Sequence, residues 1–154
     1  MASSLPGVLD YLHQQIPALP AVQQLRPVVA DGWPDQRGDV LIALGVVPEE
    51  DEAGVVATYA ELSREEYEEV TVPSIIAVRR SGANAASRAR ADAFALFDAI
   101  RELVRSDRRC GGAIVPGMPA RIVSYDVAQT SRVQQAGEGR TCEIRWILTW
   151  QHRG

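Results

Sequence analysis

The chain has 154 residues and a formal net charge of -4, with 46% hydrophobic and 23% charged residues. This is the composition of an ordinary globular domain rather than a disordered one, and the length predicts one domain over 1–154. All 16 basic residues are arginine, which excludes Schiff-base chemistry on a lysine and a Walker-type phosphate loop.

The start, Met1-Ala2-Ser3-Ser4, has neither the basic nor the apolar region of a secretory signal. No apolar run approaches the roughly 18 residues that span a bilayer. A soluble chain made in the cytoplasm is therefore expected. Leu5, Val8, Leu9, Leu12 and Ile16 recur at helical spacing and predict a short amphipathic helix over 5–15, with Pro6 in its first turn and Pro17 as its stop. A proline-punctuated connector follows over 17–38, with a turn at Asp31-Gly32-Trp33-Pro34. Val40 to Val47 is an unbroken apolar run and reads as a buried strand ended by Pro48. After the acidic loop Glu49 to Gly54, a second strand is expected over Val55 to Leu62 and a third from about Tyr67 to Arg79. Pro73 inside the third predicts an edge position or a bulge.

Ser81 and Asn84 are candidate caps of a long helix reaching about Asp107. Ala93, Phe94, Phe97, Ile100, Leu103 and Val104 form its apolar stripe, and Gly111-Gly112 its expected left-handed stop. The rest reads as a hairpin. Arg121 to Val133 is one arm, with Val123, Tyr125 and Val127 alternating, and Gln135 to Gly139 is the turn. Cys142, Ile144, Trp146, Leu148 and Trp150 give a period-two strand with Glu143, Arg145 and Thr149 on its other face. The expected fold class is α+β, in the order α-β-β-β-α-β-β. An antiparallel or mixed sheet of about five strands carries the long helix on one face.

Reactive chemistry is sparse. His13 and His152 belong to no metal or protease motif and read as surface or cap residues. Cys110 and Cys142 form no C-x-x-C pair and read as reduced thiols, one in a loop and one in a strand. Gly137-Glu138-Gly139-Arg140-Thr141-Cys142 lacks the third glycine of a dinucleotide fingerprint and precedes a strand instead of a helix. The acidic runs match no calcium loop. No catalytic residue, metal site or cofactor is expected. Charge is more informative. Residues 49–69 hold nine acids against Arg64, whereas 79–109 hold eight arginines against four acids. These stretches either neutralise each other within one subunit or face water, or else the acids of one copy meet the arginines of the next, a heterologous contact of the kind that closes rings. The candidate interface residues are Glu49, Glu50, Asp51, Glu65, Glu66, Glu68 and Glu69 on one side. Arg79, Arg80, Arg88 and Arg90 are their candidates on the other.

The meander ending in Ile75-Ile76-Ala77-Val78 leads to a turn at Ser81-Gly82. The long helix with Ala95-Leu96-Phe97-Asp98-Ala99-Ile100 follows, then Gly111-Gly112 and a hairpin whose last strand runs from Ile144 to Trp150. This order resembles the tail terminator proteins of long-tailed phages and related phage-derived particles, over about the whole chain. The resemblance implies a non-enzymatic virion protein at the head-proximal end of the tail. It implies a homo-hexameric ring that caps the tail tube, stops its polymerisation and offers a surface to the head-completion or neck protein. DNA would pass through the lumen only as cargo, and no membrane is involved. Two alternatives remain: a head–tail connector or neck completion protein, and a small cytoplasmic enzyme or ligand-binding domain.

Overall fold

The computed structural model describes residues 2–46, 55–62, 65–115, 118–130 and 139–153. It is α+β, as expected. Helix α1 (Leu5–Gln15) runs through a 3-10 turn (Ile16–Ala18) into α2 (Pro20–Leu25). The strands are β1 (Val28–Asp31), β2 (Val40–Leu44), β3 (Val56–Leu62), β4 (Glu65–Arg80), β5 (Arg121–Gln129) and β6 (Arg140–His152), with α3 (Ala85–Ser106) between β4 and β5. Strand order is β1-β2-β4-β6-β5, with β3 also paired to β4. All pairings are antiparallel except β1 with β2.

Two elements lie inside the stretch read as connector. Pro20 opens α2 in a first-turn position, and Arg26 ends it in the left-handed region at φ 52. Four residues after Pro27 then pair with β2. A run this short, flanked by prolines, has no periodicity to announce it. Gly32, at φ +87, turns the chain away from β1, and its N–H donates to the Leu44 carbonyl.

The sheet is built on β4 and β6, paired over thirteen registered positions. Inward positions alternate: Val70, Val72, Ile76 and Val78 on β4, and Cys142, Ile144, Trp146, Leu148 and Trp150 on β6, are all buried. α3 lies over this face with Ala85, Ala89, Ala93, Leu96, Phe97, Ile100 and Val104 buried. Three of these are alanines spaced four apart, so the first turns of the helix approach the sheet closely. Val8, Leu12 and Ile16 close the same core from α1. The opposite face carries only a small cluster, Leu41, Ala43, Val46 and Ile75, with Trp33 packed against it.

Pro73 is in an interior strand rather than at an edge. It faces Ile147 on β6, but on its other side β3 pairing ends at Thr71 and β2 pairing begins at Ser74. The ladder is therefore interrupted where the missing N–H falls. The long helix ends earlier than its glycines. Its C-cap is Asp107, and Cys110, Gly111 and Gly112 form the left-handed turn that follows. Asn84, at φ 57, stands at the N-cap without a side-chain cap bond. The expected acidic loop 49–54 and hairpin turn 135–138 lie outside the described residues.

Candidate functional site

Residue parity along β4 and β6 turns Glu68 and His152 inward, directly opposite each other. Glu68 is 1% exposed and His152 7%. Ser4, at the N-cap of α1, is placed over them. Its backbone N–H (3.1 Å) and hydroxyl (2.6 Å) both donate to Glu68 Oε1. Trp150 Nε1–H donates to Ser4 Oγ at 2.7 Å, so the serine serves the core instead of capping its own helix. His152 Nδ1 accepts the Val115 backbone N–H at 3.2 Å. Burial pushes the Glu68 carboxyl upward. Hydrogen bonds from Ser4 and Ser3 and the nearby His152 outweigh it, and the pKa lies below the ordinary carboxylate value.

Serine, glutamate and histidine thus meet without forming a hydrolytic triad. The Ser4 proton is directed at a carboxylate of lowered pKa, a weak base, and not at an imidazole, and His152 Nδ1 is occupied by an amide, so the hydroxyl is poorly placed for activation. The arrangement fastens the start of α1 to the sheet. Two expectations are corrected here. Glu68 is an internal residue and is withdrawn from the acidic surface, and His152 is a core histidine instead of a surface one. The signal was present in the sequence: Glu68 continues the parity of Val70 and Val72, and His152 that of Trp146 and Trp150.

The thiols are inert by environment. Cys110 and Cys142 are both buried and unpaired. Burial, then the charge of Asp107, pushes the Cys110 thiol up to about 12. Burial also raises Cys142, against Gln129 and Arg90. Thiolate chemistry needs the opposite shift. Among the described residues no three His, Cys, Asp or Glu side chains could hold a metal ion, and no helix is long and apolar enough to cross a membrane. A cleft of about 590 Å³ at the start of α3 is lined by Ser81, Asn84, Ser87, Arg90 and Arg140 among others, and among the described residues its lining has no carboxylate or imidazole for acid–base work. Gly139 beside it is required by packing, since an added Cβ would collide with the Arg80 carbonyl oxygen.

The charged candidates separate along the molecule. Glu66 and Glu69 are exposed near the start of β4, and Glu69 accepts from Gln151 Nε2 at 2.9 Å. Glu65 starts the strand, while Glu49, Glu50 and Asp51 lie outside the described residues. Arg79 and Arg80 are at the far end of β4. At the rise of a strand, Glu66 and Arg80 are roughly 45 Å apart, far beyond a Debye length of about 8 Å. Glu66 and Glu69 therefore do not neutralise Arg79 and Arg80 along this strand. Arg80 Nε instead pairs with Asp92 at 2.8 Å. Arg88 donates to the Ser81 carbonyl at 2.9 Å, and Arg90 lies 3.5 Å from Gln129 Oε1.

Three arginines of the basic stretch 79–109 that were not among the interface candidates come together with a fourth from β5. Arg101, Arg105, Arg108 and Arg121 line a groove of about 250 Å³ between the end of α3 and the start of β5. Among the described residues, β5 and β3 are each paired with a strand on one side only. β5 leaves Val123, Tyr125 and Val127 between 40% and 52% exposed, although Tyr125 rests on Phe97 with ring centroids 4.9 Å apart, and β3 leaves Val56 and Tyr59 more than half exposed.

No protein-family model and no curated protein sequence matches the chain. Among solved structures, a chain of "Virion of native gene transfer agent (GTA) particle" superposes with a TM-score of 0.50 at 12% identity, covering 88% of this chain and 85% of that one. The chain shares its fold with a virion component. At 88% of this chain, the likeness concerns most of the domain and not a shared hairpin alone.

Proposed function

We propose that this chain is a virion structural protein: a tail terminator whose copies form a homo-hexameric ring on the end of the tail tube. The ring halts tube polymerisation and presents its other face to the head-completion or neck protein, with DNA passing through the lumen. The observation that carries this reading is the near full-length fold shared with a chain of a gene transfer agent virion. Two features of the molecule support it. Its conspicuous Ser-Glu-His grouping is a structural clasp, which removes the best candidate for catalysis. Its sheet has free strands at both sides, and such edges are managed in natural proteins by covering or pairing them. A subunit that joins two neighbours needs two such sides.

The test is electron microscopy of particles assembled without this protein. Overlong tails are the expected result, because nothing stops the tube. Tails of normal length that fail to join heads would move the protein to the neck. Normal particles would overturn the virion reading.

A further inference from the structure

The two sides of the sheet carry opposite charge near the same end of β4 and β6. Starting from β3, Thr58 is registered with Glu69, and Glu69 with Gln151. The Gln151 N–H donates to the Met118 carbonyl at 2.8 Å, and two residues on, the Ala120 N–H donates to the Arg108 carbonyl at 2.9 Å. Arg121 of the basic groove is registered with Thr149, and Thr149 with Thr71, two positions along β4 from Glu69, so the acidic side and the groove lie near the same end of the sheet. The β3–β4 hairpin also reaches past the sheet, because β6 ends at His152 opposite Glu68 while β3 still pairs with Glu65 to Tyr67. A two-stranded ribbon is marginal by itself and gains by packing against something.

The basic groove has charge to spare. The ion pairs of Arg101 with Asp98 (3.8 Å) and of Arg105 with Glu102 (3.9 Å) are long and exposed and hold a guanidinium weakly; Arg101 also lies over the Phe97 ring, 5.8 Å from its centroid. Among the described residues, neither Arg108 nor Arg121 is in an ion pair.

Resting on the ring reading above, we infer that the acidic β3–β4 hairpin of one copy docks in the arginine groove between α3 and β5 of the next. A head-to-tail contact closes into a ring when it repeats without axial rise and opens into a filament when it does not. The two surfaces lie on opposite sides of the sheet near the same end, the placement that a lateral contact between neighbouring copies uses. The arginines engaged are those at the end of α3, in place of the Arg79, Arg80, Arg88 and Arg90 group at its start.

The experiment compares three variants with the wild-type chain by native mass spectrometry and end-on microscopy, alone and with tail-tube protein. Glu66→Arg/Glu69→Arg and Arg105→Glu/Arg108→Glu each reverse one surface, and the third variant combines all four changes. All four side chains are exposed, so the variants should unfold at the wild-type temperature. Each reversal is expected to raise the concentration needed for ring formation by about tenfold or more, most strongly at low salt, and the combination to restore much of it. Rings that form equally well in both single-surface variants would overturn this docking and leave the ring reading intact. Loss in both without recovery in the combined variant would also overturn the pairing. A wild-type chain that stays monomeric even with tube protein would overturn the ring reading itself.

Discussion

The two faces of the sheet are built to different standards. Under α1 and α3, every inward position of β6 from Cys142 to His152 is buried. On the back, Glu143, Arg145, Ile147 and Thr149 of the same strand are only half-buried. There an open trough of about 460 Å³ runs past Pro73, Ser124, Asp126 and Ile147. One strand thus supplies the interior of the subunit with one half of its residues and the outside with the other. Stability is concentrated where the helices lie, so the rim and back can change sequence at small cost to folding.

Substitutions should follow that division. Trp150→Ala removes a fully buried indole and the donor to Ser4 Oγ. It should cost about 3–5 kcal/mol, read as a lower denaturant midpoint. A loss below about 1 kcal/mol would mean that the helix-covered face is not the main source of stability. Glu68→Gln exchanges an ionised acceptor of two Ser4 bonds for a neutral one and should cost about 1–3 kcal/mol at neutral pH. Because the folded pKa of Glu68 is lowered, the stabilisation is fully present above the ordinary carboxylate pKa. It fades as pH falls through the lowered value. The gap between wild type and Glu68→Gln should therefore narrow on acidification; a constant gap would show that the carboxylate charge is immaterial.

On the back face the effects should be small. Glu143 and Arg145 approach to 3.5 Å with about a third of each side chain exposed. Glu143→Gln should thus change stability by at most about 1 kcal/mol, and less in high salt. The smallest expected signal is chemical. With its thiol pushed up to about 12 and buried, Cys110 should resist alkylation at pH 8 in the folded protein and react only in denaturant. Rapid labelling of the native chain would contradict the packing around the Asp107 turn.

Legibility in the sequence tracked pattern length. The alternation from Cys142 to Trp150 and the stripe from Ala93 to Val104 each extend over several periods, and both elements lie where they were expected. β1 and α2 are four and six residues long, between prolines, and tertiary pairing rather than local preference creates them. Glu68 was hidden by its neighbours, since Glu-Glu-Tyr-Glu-Glu reads as a solvated run unless parity is carried back from Val70. The Arg101, Arg105, Arg108 and Arg121 groove was invisible for another reason. Its last member is separated from the others by a turn, and only the fold brings them side by side.

The bond between Ser4 and Trp150 joins residues 146 positions apart, and Trp150 belongs to the strand that unites β4 with β5. During synthesis this closure must wait until β6 has left the ribosome, and until then β4 has only β2 and β3 beside it while β5 lacks its registered partner. Anchoring the first helix is thus a long-range event, and its bond must offset a large loop-closure entropy.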